Sequence, residues 1–175
     1  MKKNIFVGLA IAIVFIILFR YFLGGNELLV GDIAPEIEFK DLAGRKIGLS
    51  EFKDRFVILD FWGSWCIPCR ASNRKLVAFY ENQDTSRIKV ISVGIEKDKR
   101  EWKKAINDDS LFWDEQFTPL GMFDNEITEI YDINLTPTYF LINPQQSIVE
   151  KSGNIDHIIR KYDQYTRNVL VNPEK

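Results

Sequence analysis

The stretch Phe56-Val57-Ile58-Leu59-Asp60-Phe61-Trp62-Gly63-Ser64-Trp65-Cys66-Ile67-Pro68-Cys69 decides how this chain is read. It opens as a continuous apolar run of strand length, broken only by Asp60, and such a run suits a strand buried on both faces. After Gly63-Ser64 the pattern changes to a helical one, from about Ile67 to Asn82, with Leu76, Val77, Phe79 and Tyr80 as its apolar positions. Both cysteines of the protein sit at this strand-to-helix junction, three residues apart. Residues at that spacing share a helix face, so Cys66 and Cys69 can close a disulfide at the first turn.

The chemistry follows from the position. A sulfur at a helix N-terminus meets unpaired amide groups and the positive end of the helix dipole. That favours the thiolate and assigns the attacking role to Cys66, with Cys69 as the resolving thiol. Pro68 fits a first-turn position, where its missing N–H costs nothing. Trp65 beside the nucleophile offers a flat apolar platform for a substrate chain. Asp60 stands six residues before Cys66, and a carboxyl buried in an apolar strand has a raised pKa and can exchange a proton with Cys69. A purely structural bridge is weakly motivated, because so short a loop removes little chain entropy. Half of a zinc site is another reading, but zinc wants four ligands and the chain holds two cysteines and one distant histidine, His157. The residues call for no metal and no cofactor.

Outward from this centre the chain alternates. On the N-terminal side, Ala34 to Phe39, a turn at Asp41–Arg45, and Lys46 to Leu49 read as a hairpin, followed by a short helical turn from Ser50. On the C-terminal side, Lys89 to Ile95 is β-rich, Lys97 to Asn107 is helical with Trp102, Ala105 and Ile106 on one face, and Phe112 to Phe117 is an edge segment. Asn125 to Tyr131 is a short helix, Thr138 to Ile142 and Ser147 to Glu150 form a hairpin, and Asp156 can cap a closing helix. That order predicts an α/β domain with a central mixed sheet flanked by helices. Thr136-Pro137, just before a strand, is a place where a proline can be cis.

The chain divides at about residue 25 into an anchor, 1–25, and a domain, 26–175. Lys2-Lys3 precede the apolar segment Ile5–Phe19, and Arg20-Tyr21-Phe22-Leu23 and two glycines follow it. As a helix, Ile5–Leu23 would span about 28 Å, close to a bilayer core of about 30 Å. The lysines keep the N-terminus cytoplasmic, which predicts a single pass through the cytoplasmic membrane with the domain outside. A cleaved signal peptide is the alternative, though no Ala-x-Ala site follows. The net charge of −2 conceals an asymmetry: beyond residue 25 there are 20 basic and 25 acidic side chains. This balance argues against a nucleic-acid partner.

Val57-Ile58-Leu59-Asp60-Phe61-Trp62 with Trp65-Cys66-Ile67-Pro68-Cys69 resembles a thioredoxin-fold active site, and Thr136-Pro137-Thr138-Tyr139-Phe140-Leu141-Ile142 resembles that fold's cis-proline loop and following strand. The opening, Gly31-Asp32-Ile33-Ala34-Pro35 and Leu42 to Phe52, resembles the TlpA/ResA and peroxiredoxin-related branch. The resemblance implies an N-terminal hairpin, an insertion within residues 91–131, a cis Pro137 packed against Cys66, and adjacent backbone, at Thr136, pairing with the substrate chain. It further implies a membrane-anchored enzyme facing the periplasm or cell exterior. Such an enzyme reduces, or less often oxidises, disulfides of extracytoplasmic proteins, apocytochromes among them, and draws on a membrane electron donor. Two positions depart from the ResA pattern: Ser72 stands where a Glu is common, and Asp60 where an Asn is common. A peroxiredoxin-like peroxidase needs Thr or Ser three residues before its cysteine, where this chain has Gly63. A copper chaperone of this fold carries a longer cysteine spacing and a His in the later loop.

Overall fold

The computed structural model describes residues 14–15 and 27–171. Its centre is a five-stranded mixed sheet in the order β5-β4-β3-β6-β7. The apolar run of the opening stretch is β3, Phe56–Trp62, buried at all seven positions including Asp60. It lies in mid-sheet, parallel to β4 (Ile88–Gly94) and antiparallel to β6 (Thr138–Ile142). β4 runs parallel to the short edge strand β5 (Gln116–Phe117), and β7 (Ile148–Ser152) closes the other edge against β6. A strand flanked on both sides and covered on both faces has no solvated position, hence its apolar composition.

Alternation along β3 sends its side chains to two separate cores. Ile58 and Trp62 pack with Cys66, Cys69 and Leu76 of helix α1 (Ile67–Tyr80), Trp102 and Ile106 of α2 (Lys99–Asp108), and Ile155 and Ile158 of α4 (Ile155–Val171). Val57, Leu59 and Phe61 pack on the opposite face. There they meet the hairpin of β1 (Glu38–Lys40) and β2 (Lys46–Gly48), the 3-10 turn Leu49–Phe52, and Tyr131, which follows α3 (Glu126–Ile130). Each fully buried aliphatic or aromatic side chain on these faces is worth about 1.5–3 kcal/mol. The expected insertion range 91–131 holds the end of β4 together with α2, β5 and α3.

Four local expectations are corrected. The first strand is confined to Glu38–Lys40. Residues 31–34 instead lie against the start of β7, where Gly31 N–H donates to Ile148 O, Ile148 N–H to Asp32 O and Ala34 N–H to Gln146 O, each at 2.8 Å. Only Gln116–Phe117 of the segment from Phe112 is strand: Trp113 turns inward while Phe112 stays exposed. Helix α1 ends at Tyr80, short of Asn82. The closing helix is capped by Asn154, whose Oδ1 accepts from Asp156 N–H at 2.9 Å, and Asp156 pairs with Lys75 at 2.6 Å.

The proposed anchor, Ile5–Leu23, lies outside the described residues apart from Val14 and Phe15. Among the described residues no helix is long and apolar enough to cross a membrane.

Candidate active site

Cys66 is the N-cap of α1, in extended conformation, and its Sγ accepts the Cys69 N–H at 3.2 Å. Pro68 lies in the first turn and forfeits no bond there. Cys66 and Cys69 form a disulfide with Cα atoms 5.2 Å apart. Cys69 is fully buried and Cys66 is 4% exposed. The attacking sulfur predicted from sequence therefore holds the position where an amide already points at it, and the predicted resolving sulfur lies deeper. Beside them Trp65 and Ile67 are exposed, at 49% and 83%.

The turn between β3 and α1 is held from the end of β4. Glu96 Oε1 accepts the Ser64 N–H, and its Oε2 accepts the Ser64 hydroxyl at 2.9 Å. Burial raises the Glu96 carboxyl above its ordinary range, and the Ser64 bonds oppose that shift. The Trp65 indole N–H donates to Ile95 O at 2.7 Å, which fixes the ring over the turn. A Cβ on Gly63 would fall 2.6 Å from the Trp65 Nε1, so residue 63 has no room for the Thr or Ser of a peroxidatic site. Phe123 stands edge-on to Trp65 with ring centroids 6.1 Å apart. Its neighbour Met122 donates its N–H to Glu96 O at 3.2 Å, so one short segment, Ile95-Glu96, holds both rings. On α1, Arg70 and Asn73 both donate to Asp109 Oδ2, just past the end of α2, and pin the helix from behind.

Asp60 is wholly buried on the α1 side of β3. Burial pushes its carboxyl up to about 7 against a hydrogen bond from Ser92, which lowers it. The Thr136–Pro137 peptide bond is cis. The Thr138 hydroxyl donates to Leu135 O at 2.9 Å and tightens the loop before β6. His157 is partly exposed and lies 3.2 Å from Glu150, and no cluster of metal-ligating side chains occurs among the described residues. Sequence reasoning missed Ser92, Glu96, Trp113 and Phe123. Of these only Glu96 left a signal, as a carboxylate placed directly after an apolar strand.

A disulfide pair at a helix N-cap, a buried carboxyl in the strand before it and a cis-proline just ahead of β6 are the features that set the chain among known proteins. Residues 30–158 match the AhpC/TSA family. The chain belongs to that family. It is 28% identical over 155 residues to the thiol-disulfide oxidoreductase ResA of Bacillus subtilis, covering 85% of this chain and 84% of that protein. ResA of Geobacillus kaustophilus is 26% identical over 159 residues, 91% of this chain and 85% of that protein. Among solved structures, the thioredoxin domain of a thiol-disulfide oxidoreductase from Bacteroides vulgatus superposes with a TM-score of 0.72 at 28% identity, covering 79% of this chain and 99% of that one. This AhpC/TSA member is thus a thiol-disulfide oxidoreductase with a thioredoxin-like fold, of the TlpA/ResA kind.

Proposed function

We propose that this oxidoreductase reduces disulfides of proteins outside the cytoplasmic membrane, held there by residues 1–25 as a single-pass anchor with 26–175 as its catalytic domain. The observation that carries the chemistry is Cys66 at the N-cap of α1 with the Cys69 N–H directed at its sulfur. In the reduced enzyme the Cys66 thiolate attacks one sulfur of a substrate disulfide, forms a mixed disulfide and expels the other substrate sulfur as a thiolate. Asp60 takes the proton from the Cys69 thiol, directly or through one water. The Cys69 thiolate then attacks Cys66 Sγ, the Cys66–Cys69 bond forms, and the second substrate thiolate leaves. Two electrons pass from the dithiol to the substrate, and a membrane electron donor restores the dithiol. Trp65 and the Thr136–Pro137 loop contact the substrate chain beside the reacting sulfurs.

The full-length protein with Cys69→Ser, expressed in cells, should accumulate mixed disulfides, and Cys66→Ser should accumulate none. Equal trapping by both variants would overturn the roles. A membrane-impermeant thiol reagent should label Cys66 in intact cells after mild reduction, and labelling only after lysis would overturn the outward orientation.

A further inference from the structure

The row of the sheet that contains Asp60 is polar across three strands. In register with Asp60 on β3 stand Ser92 on β4 and Tyr139 on β6. The Ser92 hydroxyl is 3.0 Å from Asp60 Oδ2 and the Trp113 Nε1 is 3.2 Å from the Ser92 oxygen. All four side chains are buried. An indole N–H can only donate, whereas a hydroxyl carries one hydrogen and can also accept. Trp113 therefore fills the accepting side of Ser92, and the single Ser92 hydrogen goes to Asp60 Oδ2. Trp113 is itself fixed: Tyr80 of α1 lies edge-on to it at 5.6 Å, and the Gln116 amide donates to Trp113 O at 2.9 Å. The other Asp60 oxygen, Oδ1, makes no hydrogen bond among the described residues.

We propose that Ser92, aligned by Trp113, is a positioning residue for the proton step: it occupies Oδ2 with a fixed donor and leaves Oδ1 to receive the Cys69 proton. The inference rests on Asp60 being the proton acceptor for Cys69. A donor to the charged form favours it, so Ser92 works against burial and keeps Asp60 competent as a base nearer neutral pH. The tyrosines facing this core, Tyr139 from β6, Tyr80 from α1 and Tyr162 from α4, are all raised above their ordinary values and stay neutral up to pH 9. The acids at its rim are paired, Asp156 with Lys75 at 2.6 Å and Glu115 with Lys89 at 3.1 Å. From α2 the core receives Trp102, Ala105 and Ile106, none of which titrates. Arg55 acts on Tyr80, and Arg87, Asp163 and Asp84 act on Tyr162, whereas Asp60 itself is shifted by burial and by Ser92.

The test is the rate of mixed-disulfide resolution in single turnover from pH 5 to 9, together with the titration of the Asp60 side-chain carboxyl carbon followed by NMR in the dithiol form. Ser92→Ala should move both midpoints upward, lower the rate at pH 6 about tenfold, and leave the rate near pH 9 unchanged. Ser92→Thr should restore the wild-type profile, and Trp113→Phe should shift it in the same direction by two- to threefold at pH 6. A drop of equal size at every pH, or unmoved midpoints in both Ser92→Ala and Trp113→Phe, would overturn the inference. Asp60→Asn separates the two levels. If it flattens the profile while the Ser92 and Trp113 variants match wild type, only the Ser92 inference falls. If it leaves the profile intact, the Asp60 reading falls and the Ser92 inference with it.

Discussion

Glu96 accepts two hydrogen bonds from Ser64, one from its backbone N–H and one from its hydroxyl, and so binds the end of β4 to the turn that leads into Cys66. The carboxylate is 2% exposed as part of its residue, so these bonds replace those it would make with water. The same residue's carbonyl holds Met122, next to Phe123. Position 96 therefore sets the turn before Cys66 and the loop that carries Phe123 together.

Replacing Glu96 tests that coupling. Glu96→Gln keeps an acceptor for the Ser64 N–H and should cost under about 1 kcal/mol. Glu96→Ala leaves the Ser64 donors without their partner and should cost about 1–3 kcal/mol. Denaturant unfolding of the disulfide form measures both. The Ala variant should also lower kcat/KM on a protein disulfide by more than the Gln variant does, because Trp65 and Cys66 lose their fixed orientation.

Asp60 should give the fold a distinctive pH dependence. Its folded value, about 7, lies above its ordinary value of 3.8. The native state thus binds a proton more tightly than the unfolded chain, and this contribution to stability is complete below about pH 4 and is lost as pH rises through 7. The loss amounts to roughly 4 kcal/mol by pH 8. Asp60→Asn should abolish that slope and be the more stable protein at pH 8. Unfolding of the disulfide form at pH 4, 6 and 8 checks it, and parallel curves for the two proteins would contradict it.

Gly63 should tolerate no side chain. A Cβ there would meet the Trp65 indole at 2.6 Å and Ile95 O at 3.1 Å, and the Trp65 N–H would lose its place on that carbonyl. Gly63→Ala should shift Trp65 fluorescence and lower thiol-disulfide exchange activity by about tenfold, with stability lowered by about 1–3 kcal/mol. Gly63→Thr should not gain hydroperoxide reduction, because its hydroxyl would arrive only by displacing the indole.

Much of the domain is legible in its sequence. The continuous apolar run of β3 announced a central strand, and its change to helical spacing after Gly63 marked the junction where the cysteines lie. Burial of Asp60 followed from its apolar flanks, Leu59, Phe61 and Trp62, and the structure buries it wholly. The alternation of strands and helices foretold the mixed sheet. Boundaries were less legible at the ends of the chain's elements. Residues 31–34 pair with a strand more than a hundred positions later, and whether Asn154 or Asp156 caps α4 depends on which side chain reaches the first free amide.

By itself the sequence determined the cysteine pair, its place at a helix start and the buried carboxyl of the preceding strand, because each depends on neighbours within a few residues. The tertiary structure alone decided what surrounds them. Ser92 reads as an interior residue of an apolar strand, and it matters only because β4 lies in register with β3, 32 residues away along the chain. Trp113 reads as part of an edge segment, and it matters because its loop turns the indole onto Ser92. Local pattern reports which face a residue takes, whereas the partner it finds there is set by strand order and register, which no short window of sequence contains.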